Sequence, residues 1–384
     1  MKVCFQTKAW GEGAGWFAQE LALGIAEAGA EVVFVAPPAV PADREPVHPN
    51  LQRIFIHREL QAGGKLKRIA SSLRRVFDGA RQALIWRRKV DVHLFSIPDP
   101  LIFFLPLQIL LRLLGARHVV VVHDARPHAW AKKGWADGLH YLAIKLSYSL
   151  ANSLVATTST NKADLIETFG IDPADIDVLP HGVFDLGEQT SAPGNGKLLV
   201  FGALRRNKRI LETIKAFQIC RAKGMPIRLV IAGGPDRADK EYWADCIKQI
   251  EHAPESIDME IGFVSDARVS ELIADCDVAL LPYERFSSAS GVAILLATSQ
   301  RPLIATATGG IGDLFELGLS GIPLSEQADV DDIVAAIEVF FSKPVDIWRQ
   351  EASRARERLL KELSWKEIGI GYLKVLGDRY SHPG

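Results

Sequence analysis

At 384 residues the chain is long enough for two or three domains, and 48% hydrophobic with 24% charged residues is an ordinary globular composition with material for two cores. A net charge of −1 excludes a protein that grips polyanions with its whole surface, so any charge-driven partner has to be read from local patches. Cys4, Cys220, Cys246 and Cys276 form no CxxC pair and no cluster with histidine, which reads as free thiols in a reducing compartment.

The first element is a short strand, Val3–Gln6, directly behind Met1-Lys2, with no signal-peptide pattern before it, so a cytoplasmic protein is expected. A glycine-rich turn follows, Trp10-Gly11-Glu12-Gly13-Ala14-Gly15-Trp16. Its spacing is not that of a dinucleotide fingerprint, and the next strand ends in Ala36-Pro37 where a ribose-binding acid would stand. A plain tight turn and a loop lining a sugar or phosphate site both remain open, with Gly13 and Gly15 as candidates. Trp16 to Ala28 has helical spacing, with Phe17, Leu21 and Ile25 on one stripe, and Glu31–Ala36 is the second strand.

Residues 64–89 hold nine cations against Asp78 alone, with Ile69, Leu73, Phe77 and Leu84 at helical spacing among them. A basic amphipathic helix of this kind reads as an anionic membrane surface binder, or else as a solvated helix packed on its own domain. No nucleic-acid-reading module accompanies it. Asp91–Ser96 is the next strand, followed by Pro98-Asp99-Pro100, in which Asp99 is either a rigid turn or a weak candidate base. Leu101 to Leu114 is too short to span a bilayer, contains Pro106, and reads as a buried helix. The strand His118–Val122 ends in His123-Asp124 with His128 shortly beyond, a polar cluster able to orient or deprotonate a hydroxyl. Leu154–Thr157 is a strand and Asn161–Phe169 a helix.

Glu188 to Gly196, EQTSAPGNG, reads as a linker, after which the alternation restarts. Leu198–Gly202, Arg228–Ala232, Asp258–Gly262, Val278–Leu281 and Pro302–Ala305 are strands with helices between them. Short apolar strands alternating with helices imply two parallel sheets, each covered on both faces. Ligands of such sheets bind beyond the strand carboxyl ends. Gly202 to Arg209 (GALRRNKR) places four cations at one such end, either a solvated basic turn or a diphosphate cradle. Gly233-Gly234, the loop Tyr283 to Gly291 and Thr308-Gly309-Gly310 add backbone N–H and hydroxyl groups at neighbouring strand ends. The tail Ser364 to Tyr380 reads as a terminal helix with Trp365, Ile368, Tyr372 and Val375 on one stripe.

At these residues the chain resembles the family 4 glycosyltransferases, nearest to exopolysaccharide enzymes such as the xanthan-type mannosyltransferases. FGALRRNKR is similar to their FGxIRxYKG, with Arg209 where they have glycine. Pro180-His181-Gly182-Val183-Phe184 resembles their PHGxF segment, VVVHDARPH their strand ending in histidine, and LLPYERFSSASGVAILLATSQRPLIAT their donor loop. Two donor-loop glutamates of the family are missing: Ser288 and Leu295 or Leu296 stand near their places.

The resemblance implies a GT-B α/β fold, two Rossmann-like doubly wound parallel-sheet domains facing across a cleft. The expected division is an acceptor-side domain over residues 1–188, a nucleotide-sugar domain over 189–363 and a C-terminal helix over 364–384 packing back on the first. It implies transfer of a hexose from GDP-mannose or a UDP-hexose to a glycan or lipid-linked acceptor in bacterial-type polysaccharide or glycolipid synthesis. Arg205 and Lys208 would hold the leaving diphosphate, so that neither a metal nor a cofactor is called for. Gly202, Gly233, Gly234, Phe263, Val264, Ser290, Gly291 and Val292 would complete the donor side. His123, Asp124, Asp99, His128, His181, Gly13 and Gly15 would serve the sugar and acceptor. An epimerase or phosphorylase on the same fold, and a silent nucleotide-sugar-binding subunit, are the alternatives.

Overall fold

The computed structural model describes residues 1–9, 12–39, 42–58, 64–96, 101–125, 135–184, 190–236, 239–252 and 254–380. The chain divides into two compact units, one of residues 1–182 with 363–384 and one of residues 183–362. The linker reading puts these boundaries at 188/189 and 363/364.

In the first unit the strands are β1 (Lys2–Thr7), β2 (Glu31–Ala36), β3 (Leu51–Phe55), β4 (Val92–Ser96), β5 (His118–Val122), β6 (Ser153–Ala156) and β7 (Ile176–Val178). They form one parallel sheet in the order β3-β2-β1-β4-β5-β6-β7, so the winding reverses between β1 and β4. β5 is His-Val-Val-Val-Val and fully buried, as a strand covered on both faces must be. The helices are α1 (Glu12–Glu27), α2 (Lys65–Trp86), α3 (Leu101–Leu113), α4 (Trp135–Leu150) and α5 (Ser159–Phe169). Right-handed crossovers put α1 on one face of the sheet and α2, α3 and α4 together on the other. α5 has well-formed ends: Thr158 caps it by accepting from Asn161 N, and Gly170 closes it at φ 65°.

The second unit repeats the scheme with β8 (Lys197–Phe201), β9 (Arg228–Gly233), β10 (Ile257–Ile261), β11 (Val278–Leu281), β12 (Leu303–Thr306) and β13 (Gly321–Leu324) in the order β10-β9-β8-β11-β12-β13. Its helices are α6 (Ile210–Ala222), α7 (Lys240–Ile250), α8 (Asp266–Ala274), α9 (Gly291–Thr298), α10 (Gly309–Glu316), α11 (Val330–Ser342) and α12 (Val345–Glu362). The core runs from Leu198 and Ile231 in the sheet to Phe340, stacked on Trp348 at 4.7 Å.

The last helix, α13 (Trp365–Tyr380), belongs to the first unit and lies against α1. Two glycines make this contact possible. A Cβ on Gly24 would stand 2.1 Å from Trp365 O, and one on Gly369 2.1 Å from Gly24 O, so the backbones touch. Arg379 pairs with Asp177 at 2.7 Å and fastens the far end.

Four expectations change. α1 begins at Glu12, so Gly13 and Gly15 occupy its first turn instead of a loop. α3 is not buried throughout: Ile109, Leu110 and Leu113 are exposed. In α13 the buried stripe takes Leu376, and Val375 is only half-buried. The short strands β3, β7 and β13 lack the long apolar runs that would announce them, and their edge or near-edge places in the sheets explain why.

Candidate functional site

The winding of the second sheet reverses between β8 and β11, and the densest cluster of candidate residues lies at that point. Gly202, at φ 107°, ends β8, and Gly233, at φ 137°, ends β9. A Cβ on Gly233 would fall 1.8 Å from Gly202 O, so the two turns interlock through their missing side chains. Leu204 N donates to Gly234 O at 2.8 Å and Asp236 N to Leu204 O at 3.0 Å, which knits the two strand-end loops together.

Arg206–Lys208 then makes one 3-10 turn, and Arg209 takes the left-handed conformation at φ 52°. That is the position where the resembling pattern has glycine. The strain, about 1 kcal/mol for a residue with a side chain, is offset by the guanidinium, which donates to Glu326 O and Ala328 O.

The four cations of this turn differ in company. Arg205 is exposed and lies 3.5 Å from Asp236. Arg206 makes two hydrogen bonds to Asp239, at 2.9 and 3.1 Å. Arg209 lies 3.8 Å from Glu284. Lys208 has no carboxylate or hydrogen-bond acceptor among the described residues. Its ammonium folds back over Gly202, 3.2 Å from where a Cβ would stand there, and sits 5.0 Å above the Tyr283 ring. Burial, reinforced by the nearby Arg205 charge, pulls its pKa down from 10.5 to about 8. A half-buried cation with no counter-charge favours an anion that enters from outside.

Around it stand the remaining candidates. Ser290 caps α9 by accepting from Ala293 N at 3.2 Å, leaving the Gly291 and Val292 N–H groups at the positive end of the helix. Val292 Cγ2 comes within 3.3 Å of the Gly202 Cβ position, so the α9 N-terminus adjoins the glycine turn. Thr308-Gly309-Gly310 has a supporting role instead. Gly310 N donates to Ser288 O at 3.1 Å and Thr308 Oγ1 to Phe286 O at 3.3 Å, so these groups hold the 283–291 loop. Past β10, Phe263 is 96% exposed and Val264 half-buried.

The first unit carries a second cluster. His123 follows β5, with Nε2 2.9 Å from Ser96 Oγ and its ring edge-on to Phe17 at 4.3 Å. His181 packs on Phe17 at 5.0 Å and Trp365 at 5.3 Å, with Nδ1 2.6 Å from Gly182 O. A Cβ on Gly182 would stand 2.4 Å from the Trp365 ring, so glycine is required there. Burial pushes the His123 pKa down to about 3 and that of His181 to about 4, and the neighbouring His181 adds to the fall at His123. Both imidazoles are therefore neutral at pH 7, suited to hydrogen bonding rather than to proton transfer. Asp124, next to His123 in sequence, is half-buried. Gly13 is exposed and Gly15 buried in the first turn of α1. Asp99 and His128 lie outside the described residues.

Sequence reasoning misses the residue that holds the β5 end in place. Asn161, fully buried in α5, donates to His123 O at 2.8 Å and accepts from Ala125 N at 3.2 Å. Its only signal is an amide two residues into a helix that follows a polar Thr-Thr-Ser run. Among the described residues no group of histidine, cysteine and carboxylate side chains is arranged to hold a metal ion.

Residues 12–182 match the family model of the glycosyl transferase 4-like domain, and residues 186–358 that of the glycosyl transferases group 1. Between them the two models take in most of the chain, so each half matches a glycosyltransferase domain, and the fold is the GT-B fold. Among proteins of known activity, it is similar to the D-inositol 3-phosphate glycosyltransferase of Rhodococcus erythropolis, 25% identical over 241 residues, which are 58% of this chain and 53% of that one. It is also similar to the MMP alpha-(1->4)-mannosyltransferase of Mycolicibacterium hassiacum, 21% identical over 277 residues, 68% of this chain and 64% of the other. The matched segment thus spans about half the length of the first of these relatives. In fold it is similar to Anabaena HepE, solved in complex with UDP and glucose, with a TM-score of 0.72 at 16% identity over 98% of this chain and all of that one. It is likewise similar to WaaG, a glycosyltransferase involved in lipopolysaccharide biosynthesis, with a TM-score of 0.63 at 15% identity over 97% of this chain and 99% of the other.

Proposed function

We propose that this chain is a hexosyltransferase that takes its sugar from a nucleoside diphosphate hexose and passes it to a glycan or lipid-linked acceptor. The observation that carries the reading is the Lys208 ammonium, half-buried at the switch point of the second sheet and lacking a counter-charge among the described residues. A donor diphosphate supplies the missing charge. The anomeric C–O bond to phosphate breaks and negative charge builds on the departing diphosphate. Lys208 and Arg205 stabilise that charge in fixed positions, without a metal ion being assigned the task. The Gly291 and Val292 N–H groups add the field of a helix N-terminus, and the open backbone at Gly202, Gly233 and Gly234 lets the diphosphate approach. Phe263 and Val264, just past β10, are assigned to the nucleoside.

The first unit is assigned to the sugar and acceptor. A new bond forms between the acceptor oxygen and the anomeric carbon, and the hydroxyl proton leaves. Asp124 is the better acceptor for it, because His123 at a pKa of about 3 is a weak base. Neutral His123 and His181 donate or accept hydrogen bonds to sugar oxygens. HepE, a protein of the same fold, binds UDP-glucose, and one relative is a mannosyltransferase, which supports UDP-hexoses and GDP-mannose as the donors to try first. The pathway we assign is bacterial-type polysaccharide or glycolipid synthesis, at the cytoplasmic face of a membrane approached through residues 64–89.

A second reading is favoured by one feature, the Ser288 and Leu295 positions where the resembling family has glutamates: a subunit that binds a nucleotide sugar without turning it over. A thermal-shift screen of nucleoside diphosphates, followed by product analysis with the labelled hexose of the best base, tests both. Stabilisation by one base and a labelled product supports the transferase. Stabilisation with no product from any lipid or glycan extract supports the silent subunit, and no stabilisation by any base refutes both.

A further inference from the structure

α2 is inside out. Its inward stripe, Ser71, Arg75, Gly79 and Ala83, is small or polar at four-residue spacing. Ser71 Oγ lies 2.8 Å from His57 Nε2, and Arg75 is 6% exposed. The opposite stripe is apolar and faces solvent: Leu66 is 83% exposed, Phe77 68%, and Ile69 and Leu73 nearly half. An ordinary surface helix has these two faces exchanged. The neighbouring helices of the same layer continue the pattern, with Leu113 on α3 exposed to 79% and Leu139, Leu142 and Leu146 exposed on α4. Isolated exposed leucines need no explanation, but apolar residues on three adjacent helices do.

Charge says what covers them. Arg74, Arg81 and Arg88, at seven-residue spacing, flank the apolar stripe along one edge, and the segment carries one acid, Asp78, which is turned inward to accept from His57 N. A recess of about 320 Å³ opens on the helix between Phe77, Ala80, Leu84 and Ile85 and the side chains of Arg81 and Arg87. The Arg87 Nε is buried and finds no acceptor among the described residues, although its Nη1 donates to Leu84 O at 2.7 Å. An apolar surface, rimmed by cations on one side and holding an unused guanidinium donor in a recess, matches the acyl–headgroup boundary of an anionic bilayer.

We propose that the outer face of α2, continued by α3 and α4, docks on a bilayer of anionic phospholipid, with Leu73 and Phe77 entering the acyl boundary and Arg81 and Arg87 taking a lipid phosphate. This rests on the reading of residues 64–89 as membrane-facing and gives it an orientation and its contact residues. It does not depend on which sugar is transferred.

The test is co-sedimentation of the full-length protein with vesicles of phosphatidylcholine alone or with about a third phosphatidylglycerol, at low and high salt. Recovery is expected with the anionic vesicles and to fall with salt. Leu73→Ser with Phe77→Ser should lower binding by at least about tenfold. Arg81→Gln with Arg87→Gln should lower it about 25-fold, about fivefold for each cation, and only on the anionic vesicles. Removing two cations from the second unit, Lys223→Gln with Arg228→Gln, should change little. All variants alter exposed or half-buried groups, and their binding of UDP or GDP should match the wild type. Equal recovery on neutral and anionic vesicles overturns the proposal, as does recovery on neither. So does a concentration-dependent dimer in sedimentation velocity that Phe77→Ser abolishes, because the face would then be covered by a second copy. Vesicle binding without any nucleotide binding would sink the transferase reading and leave the docking face standing; the reverse result would do the opposite.

Discussion

Replacing Lys208 by methionine should make the protein more stable and at the same time destroy its affinity for a nucleoside diphosphate. The drop in its pKa from 10.5 to about 8 corresponds to about 3 kcal/mol of unfavourable burial for the charged form at neutral pH. Residual solvent contact reduces this, so about 1–2 kcal/mol is a reasonable gain for an apolar side chain of similar length. For a unit of this size, 1 kcal/mol shifts the melting temperature by about 2–4 °C, so the variant should melt several degrees higher. The sign has a pH signature. Below pH 8 the lysine is charged in both folded and unfolded states and the burial cost is at its full value. Above pH 8 the folded lysine loses its proton before the unfolded one, so wild-type stability recovers and the advantage of the variant fades toward pH 10.5. Binding should move the other way. A diphosphate needs the ammonium, so wild-type affinity for UDP or GDP should fall as pH rises through about 8. Lys208→Met should bind at least about thirtyfold more weakly at pH 7, the loss of one charge-assisted contact. Calorimetric melts and titrations from pH 7 to 10 read both quantities. A variant that melts lower, or that binds the diphosphate normally, would refute the account of Lys208 as a cation held in wait for an anion.

Arg205→Ala should lower kcat/KM by about a hundredfold in steady-state assays with the identified donor, and values near wild type would remove this residue from the mechanism. His93, His118, His123 and His181 all lie in the first unit with pKa values pushed down to about 4, 4, 3 and 4. Unfolded histidine takes up a proton near 6.5, so stability is full above that pH and falls as pH drops through 6.5 toward 4, by about 5 kcal/mol in total at pH 5.5. Melts at pH 7.5 and 5.5 check this, and His93→Leu, which removes a buried ring whose nitrogens have no hydrogen-bond partner among the described residues, should flatten the dependence. Gly369→Ala would put a Cβ 2.1 Å from Gly24 O and should destabilise the first unit by about 2–3 kcal/mol despite the better helix propensity of alanine. Gly138→Ala on α4, where none of the described residues lies within 4 Å of the new Cβ, should be neutral or stabilising in the same denaturation experiment.

Much of the fold was legible because its cause is local. A short apolar run such as Val119 to Val122 can satisfy its backbone and bury both faces only in the middle of a covered parallel sheet, and its alternation with helices repeats on both sides of a polar linker. The glycine-and-cation turn after β8 was legible for the same reason, since Gly202 and the residues up to Arg209 are consecutive. The edge strands β3, β7 and β13 were not, because an edge demands fewer apolar residues, although the fourth edge strand, β10, was read.

The sequence by itself determined that α2 has an apolar stripe and a basic flank; helical periodicity supplies the stripe but not the direction of the core. Only the tertiary structure decided that the stripe faces out, because Gly79 and Ala83 leave room for close packing on the sheet side. The same holds for charge. Four adjacent cations look equivalent in sequence, yet Arg205, Arg206 and Arg209 lie near Asp236, Asp239 and Glu284, brought there by other elements, and Lys208 is left without a carboxylate among the described residues. Arg301 makes the point in reverse: it is charged yet 1% exposed, and its guanidinium donates to carbonyls of residues 273, 274 and 190. Periodicity and turn chemistry are properties of neighbours in the chain. Burial, pairing and pKa depend on which distant atoms the fold brings within a few ångströms, and no window of sequence contains them.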